Sequence, residues 1–584
     1  MRPSGAELMA MSGPDAEKVL SELPFETQLA CIMQVPWKER MRVIMQSPAA
    51  RELVQSLPAE EVFWMIKQCG IEDSLPLIAR TTHDQFQYLI DLDCWQHDQL
   101  APEACLVWYR ILGRCNQAKV LEWFKQADDC LLVATLKQFM HVHKIEEESD
   151  ISEEYDGMPP CTIEGTNFFR FESEDAQIVL LPLLRVLYSH DPGRYQSLVE
   201  GIIWDPRFEA EDEALHWRQN RTAENGFPPF DEAIGLYERL NESELRQLVP
   251  AVPDVPYQEV PLQATELQVR YALAESRPPD FLRSAVGAAE EGCRSEFEKL
   301  LIAAANKVMV ADCLEVRDLD DVRRGLRKTA GYISLALEFL GNGNPAAAAA
   351  LLAQRHPQAL FRYGAHLVSS LAERMRRHCG RIWTAEPSRF ICFYGSPLAD
   401  AGLGLSRRRP LFYEGLIGQG SLYRDFESRA DIEAASAAVD RLIAADCLLF
   451  QFAGLQIEQI DEACVTGGAV REASEITMPA LLATLLIART FDQDTRVPLL
   501  DVDSVRTFAL RMDEMHGEPG TGLDVFSDQA CCWAAGALAH TACNPAAVRE
   551  LVRDSLAPLI DMLTVVRSGS PDIRYLSSVL VRNS

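Results

Sequence analysis

The sequence predicts a mainly α protein: an N-terminal short-helix solenoid followed by irregular α-helical regions with a small β-hairpin. Three observations carry that reading. Prolines recur at 24, 36, 48 and 58, each opening a short stretch with apolar residues at helical spacing. The later segments read as amphipathic helices broken by Gly/Pro clusters. One short stretch, 162–172, is rich in β-branched and aromatic residues around a glycine.

The prolines open LPFETQLACIM, VPWKERMRVIM, SPAARELVQS and LPAEEVFWMIK. Proline suits a first helical position, where its missing N–H costs nothing. Leu29, Ile32 and Met33 lie on one face of their unit; Val43, Ile44 and Met45 follow, then Val62, Trp64, Met65 and Ile66. A helix of two or three turns cannot bury such a face alone, and stacking neighbours buries it, which is the logic of a solenoid. The pattern continues less regularly to about Phe139, so residues 18–140 are expected to form one helical-repeat unit.

The L-P-x-E unit over residues 18–92 resembles the cytosolic helical domain of MgtE-type magnesium transporters and the middle domains of the flagellar motor switch protein. The membrane spans and regulatory domains of the transporter are not recognisable.

Residues 141–160 are expected to be an acidic linker, because seven of the eleven residues from Glu146 to Asp156 are acidic. His141 and His143 stand just upstream, but a carboxylate run without turn glycines at fixed offsets makes no defined cation cage. Residues 161–248 read as the hairpin plus helices, at 178–188, 206–221 and, after the turn Gly226-Phe227-Pro228-Pro229-Phe230-Asp231, at 232–240. A proline-rich linker follows at 250–261. A helical domain over 262–390 contains two helices in 267–311, one at 322–339 and a pair at 346–354 and 357–377. The C-terminal domain, 391–584, opens with an irregular glycine-rich stretch at 391–404. Helices are expected at 430–452, 476–490, 501–515, 529–542 and 546–566.

The strings ALHWRQNRTAENGFPPFDEAIGLYERL (214–240), AAANKVMVADCLEV (303–316) and RRRPLFYEGL (407–416) resemble a large family of bacterial proteins catalogued only as a domain of unknown function. That resemblance implies a bacterial chain and no particular activity.

Composition limits the function classes. The 584 residues are 48% hydrophobic and 24% charged, ordinary for a globular chain. A net charge of −30 repels nucleic acid and anionic lipid, which need neutralising Lys and Arg, and favours cationic partners. The longest apolar run, 476–488, falls short of the ~20 residues of a membrane span. The first twenty residues carry no apolar signal region, and the 16 cysteines contain no C-x-x-C pair. A cytoplasmic location with reduced, mostly buried thiols is the expectation.

Three constellations are candidates for chemistry. His216, Trp217, Arg218, Arg221 and Asp231 form the densest polar–aromatic patch, with His216 as the candidate base, although nothing local supplies a nucleophile or metal for it to serve. Arg407, Arg408, Gly418 and Gly420 form a candidate anion loop that lacks the lysine of a P-loop. Cys531, Cys532, His540 and Cys543 are metal-like residue types. On one helix, however, Cys532 and Cys543 stand ~16 Å apart, out of reach of a single zinc. No catalytic residue, metal or cofactor is assigned. The expected function is a non-catalytic interaction scaffold with a protein partner. The alternative is an enzyme or small-molecule sensor built around the 214–231 patch.

Overall fold

Short helices stack because none has enough apolar surface to stand alone. In the computed structural model the N-terminal helices include Gly13–Ser21, Phe25–Ile32, Trp37–Met45, Ala50–Ser56, Ala59–Cys69 and His83–Asp93, then Pro102–Arg114, Gln117–Gln126 and Asp129–Leu136. The structure describes residues 5–32, 35, 37–96, 98–144, 159, 161–224, 226–248, 278–316, 318–378, 387–418, 420–491, 499–514, 521–541, 543–567 and 577–582. The expected acidic stretch 146–156, the proline-rich linker 250–261, residues 267–277 and Pro36 lie outside the described residues.

The architecture is mainly α, with small antiparallel sheets. Pro24 and Pro58 sit one place earlier than expected, and Pro48 two places earlier, ahead of the N-cap Ala49. Pro58 is the N-cap of Ala59–Cys69, and the Pro24 carbonyl accepts from Thr27 and Gln28 N–H. An N-cap needs an extended ψ and an acceptor carbonyl, and proline supplies both.

Packing groups the chain into two compact units. The first comprises residues 1–238, 250–330 and 349–361, the second 239–249, 331–348 and 362–584. In the first, one hydrophobic cluster runs from Leu8 to Ala214, on both sides of the linker expected at 141–160. The hairpin expected at 162–172 is present: Cys161–Thr162 pairs antiparallel with Asn167–Phe171 around Gly165, whose φ is +82°. A third strand, Met140–Lys144, adds to its other edge, with His141 opposite Arg170 and His143 opposite Phe168. Helices Glu174–His190, Pro192–Trp204 and Arg207–Glu224 follow.

The stack is held by buried charge pairs as well as apolar contact. Arg40 and Glu61, 3% and 0% exposed, bond to each other, and Arg40 Nε donates to the Val35 carbonyl at 2.9 Å. Lys119 Nζ donates to the Thr81 carbonyl at 2.7 Å and to Glu122 at 2.6 Å.

Several expected boundaries moved. The helix expected at 232–240 is only Phe230–Ile234 plus a 3-10 turn, Gly235–Tyr237. The stretch 391–404, expected to be irregular, contains the helices Pro387–Tyr394 and Leu398–Ser406. Gly395, at φ +68°, makes the turn between them, whereas Gly404 serves packing: a Cβ on Gly404 would lie 2.6 Å from the Leu411 carbonyl oxygen. The helix expected at 546–566 is two, Pro545–Leu556 and Leu559–Arg567, divided at Pro558, which has no N–H to continue the ladder. The helix at 430–452 is an α-helix, Arg429–Asp446, that widens into a π-helix over Cys447–Phe452.

In the second unit, Arg429–Asp446 and Met478–Thr490 both pack on Pro545–Leu556. Among the described residues no helix is long and apolar enough to cross a membrane.

Candidate functional site

A cleft of about 380 Å³ opens in the first unit. Three pieces of chain wall it: the hairpin after His83–Asp93, the end of Arg207–Glu224 with the turn that follows, and the end of Glu291–Ala311.

The hairpin pairs Trp95 with Leu100 and Gln96 with Gln99. It is tied to the second wall because Leu100 N–H donates to Glu211 Oε1 at 3.0 Å. Trp95 is buried, and Asp98 is exposed at the hairpin tip.

The second wall ends in a Schellman cap. Phe227 N–H donates to the Thr222 carbonyl at 2.9 Å and Gly226 N–H to the Ala223 carbonyl at 3.0 Å, which requires a left-handed residue between helix and turn. Gly226, at φ +85°, is that residue. Pro228 and Pro229 then stop the helix, and Phe227 packs on Ala305, Met309, Val322 and Leu326.

The third wall ends in the same motif. Leu314 N–H donates to the Met309 carbonyl at 2.9 Å and Cys313 N–H to the Val310 carbonyl at 3.1 Å. The left-handed position is held by Cys313, at φ +54°, and its side chain is exposed.

Charge is anchored on the second wall. Arg218 lies over the Trp95 ring, 5.3 Å from its centroid, and its Nε donates to the Asp91 carbonyl at 2.7 Å. Burial pulls its pKa down from the ordinary value, against the pull of Asp91 and Asp98. One turn on, Arg221 donates to both oxygens of Asp91, at 2.7 and 2.9 Å, and to Asp128. Burial opposes its charge, but the two carboxylates outweigh burial and raise its pKa. Burial lifts the Asp91 carboxyl, with Arg221 and Gln87 opposing.

Of the five patch residues expected from sequence, the structure brings only Arg218 to the cleft wall. Arg221 is behind it, in the ion-pair cluster. His216 is exposed, within 3.3 Å of Asn220 Nδ2 and edge-on to Trp217, which is 48% exposed. Asp231 is exposed on the Phe230–Ile234 helix. The helical period explains the separation: residues 218 and 222 share a face, whereas 216 and 217 turn away from it. Sequence reasoning missed Trp95, Asp98, Cys313 and Glu315, which come from segments far from the patch. The Phe-Pro-Pro-Phe turn was legible only as the turn that leads into the 232–240 helix.

The other constellations are placed as follows. Of the candidate anion loop, Gly418 and Gly420 lie between the paired strands Phe412–Tyr413 and Tyr423–Arg424, while Arg407 and Arg408 precede them. Arg407 stacks on Tyr423 at 4.6 Å, and Arg408 is exposed. Gly418 is left-handed at φ +70°, and a Cβ on Gly420 would meet Glu414 Oε2 at 3.1 Å, so a carboxylate stands against the loop. Of the metal-like group, Cys531 is buried with its thiol on the Arg549 carbonyl, while Cys532 and His540 are exposed. Their helix, Thr521–Ala537, ends before His540. Among the described residues no group of three or more His, Cys, Asp or Glu is placed to hold a metal ion.

The family of unknown function DUF6178 matches residues 17–582, nearly the whole chain. The chain belongs to DUF6178. The matched span takes in both compact units and all three cleft walls, so the DUF6178 domain as matched is larger than either unit. No curated protein and no solved structure matches the chain.

Proposed function

We propose that this chain is a non-catalytic interaction scaffold of the cytoplasm, and that the cleft captures an apolar protein segment carrying a basic residue. The observation that carries the reading is the cleft's lining. Trp95, Phe227, Pro228, Pro229, Phe230, Val310 and Leu314 offer apolar contact, with Asp98 exposed at the rim. Rigid aromatic and proline walls bind extended segments at low entropic cost. The charge of −30 favours a cationic partner. A kinship of the 18–92 helices with the helical domain of MgtE-type transporters belongs to the same proposal, since stacked short helices mostly serve as contact surfaces.

The exposed Cys313 thiol in the cleft makes the test direct. Partners are captured from the native cell on the full chain, the complex is alkylated with iodoacetamide, and modification is mapped by mass spectrometry. Protection of Cys313, with the exposed Cys392 and Cys532 still modified, supports the reading. A captured partner that leaves Cys313 fully reactive sinks it.

The second reading is a small-molecule sensor. The cleft's volume favours it, since small-ligand sites span ~300–1,000 Å³. A metabolite that raises the melting temperature of the wild-type chain but not of Arg218→Ala, and that protects Cys313 without any protein partner, would select this reading.

A further inference from the structure

Two nitrogen donors share one side of the cleft. Trp95 lines it and is 3% exposed, and its indole Nε1–H, shielded from solvent, has no hydrogen-bond acceptor among the described residues. A buried donor without an acceptor costs the fold free energy that a bound acceptor restores. The Arg218 guanidinium lies over the same ring, 5.3 Å from its centroid. Its Nε donates to the Asp91 carbonyl at 2.7 Å, while both oxygens of the Asp91 carboxylate are taken by Arg221. Asp91 therefore steadies Arg218 through its backbone and gives its charge to the neighbouring arginine. Negative charge enters the cleft elsewhere, from Asp98 at the hairpin tip and Glu315 at the end of the third wall. The cleft thus carries a cation on one wall and carboxylates on the other two, with apolar surface between.

We propose that the cleft takes the C-terminal end of a partner chain, with the terminal carboxylate held by Arg218 and the Trp95 indole N–H and the last apolar side chains set against Phe227, Pro229 and Leu314. The proposal rests on the reading of the cleft as a capture site for an apolar, basic segment, and names the part of the segment that enters. A carboxylate has two acceptor oxygens, so it serves a guanidinium and a second donor together. At a chain terminus the carboxylate and the last side chain leave the same Cα, so charge and apolar anchor arrive as one unit. A terminus also needs less room than a strand that must enter and leave. The cleft, at about 380 Å³, is toward the small end of the ~300–1,000 Å³ of ligand sites.

The charges explain why a basic residue accompanies the carboxylate. A chain of net charge −30 repels an anion in general, and Arg218 offsets that repulsion only locally. A basic residue a short way upstream meets Asp98 or Glu315 and makes the incoming end nearly neutral. Burial works against the Arg218 charge, so an anion beside it is favoured more than one beside an arginine in open solvent. The donor is also held before the partner arrives, by the ring beneath it and the Asp91 carbonyl, which lowers the cost of ordering it on binding.

The test reads alkylation of Cys313, exposed in the cleft, with the exposed Cys392 and Cys532 as references. The full chain is treated with iodoacetamide beside a pool of acetylated tetrapeptides, alanine and lysine followed by any two of Leu, Ile, Val and Phe. One pool ends in a free carboxylate, the other in a carboxamide. The free-acid pool should protect Cys313 at roughly tenfold lower concentration than the amide pool, or better. Trp95→Phe keeps a ring, loses the N–H and should narrow that gap; Arg218→Met should abolish it. If Arg218→Met fails to fold, Arg218→Lys takes its place, since lysine cannot pair bidentately. Equal protection by the two pools, or a gap unchanged in the variants, overturns the carboxylate site and leaves segment capture standing. Equal protection by N-acetylphenylalanine overturns the chain terminus in favour of a small carboxylic acid. Protection by neither pool overturns the proposal, and shielding of Cys313 by a partner from the cell then decides the capture reading separately.

Discussion

Cys313 occupies in one helix cap the position that Gly226 occupies in another, and the two caps end two of the three walls of the cleft. Both residues are left-handed, at φ +54° and +85°. Only glycine takes that conformation without a Cβ clash, which costs other residues roughly 1–2 kcal/mol. Replacing Cys313 by Gly should therefore stabilise the chain by about 1 kcal/mol in urea unfolding. Gly226→Ala should destabilise it by at least as much, since its Cβ would also meet Asn306 Nδ2 at 3.2 Å. Equal and unchanged midpoints for both variants would contradict the cap assignment.

The Asp91–Arg221 pair fastens the helix that carries Arg218. Asp91 is 2% exposed and accepts two bonds from Arg221. Asp91→Leu removes both of these bonds from the partly buried guanidinium and should cost about 3 kcal/mol. Replacing both residues together, Asp91→Leu with Arg221→Met, should cost clearly less, because the desolvation of both charges disappears with them. A single-variant loss below about 1 kcal/mol in urea melts would show that the pair is not the anchor.

Helices Leu319–Leu340 and Pro357–His378 approach closely at Gly364. A Cβ there would lie 2.2 Å from the Tyr332 carbonyl oxygen, a backbone atom that has no rotamer to escape into. Gly364→Ala should cost about 1–3 kcal/mol from overpacking. Gly287→Ala, on Asp280–Ala288 with no atom within 4 Å of its Cβ, should be neutral or stabilising. Matching thermal shifts for the two variants would refute the close approach.

His83 is a source of acid sensitivity. Burial depresses its pKa below the ordinary 6.5, with Lys119 adding to this and Asp84, Glu122 and Asp128 opposing. Its ring lies 5.8 Å from Trp123. A histidine depressed in the folded state is protonated more readily when unfolded, so its contribution is full above about pH 6.5 and falls as pH drops through the folded value. Stability measured from pH 7.5 down to 5 should decline, and His83→Asn should flatten part of that decline. An unchanged slope in the variant would remove His83 as the cause.

How much of this was legible in the chain depends on how local the signal is. The stacked short helices followed from the spacing of Leu29, Ile32, Val43, Ile44, Val62 and Met65, because a face repeated at 3.6 residues is a local property. The 162–172 hairpin was readable for the same reason, through Gly165 and the aromatic residues beside it. The strand Met140–Lys144 was not, because its pairing with Asn167–Phe171 is made by residues more than twenty positions away. Nor were the glycine-rich helices at 391–404: glycine reads as a breaker until one sees that Gly404 is small because the Leu411 backbone lies against it.

By itself, the sequence determined the mainly α class, the proline-led helices and the strongly acidic character, all of which depend on residue type and near-neighbour spacing. Only the tertiary structure decided which polar residues meet. It set Arg218 against Trp95 and turned His216 outward, although the two are neighbours in the chain. It also brought Cys313 to the Phe227–Phe230 turn. The reason is geometric. A helix turns 100° with each residue, so adjacency along the chain sends side chains to different faces, and a cleft is assembled from whichever faces the packing of distant elements happens to bring together.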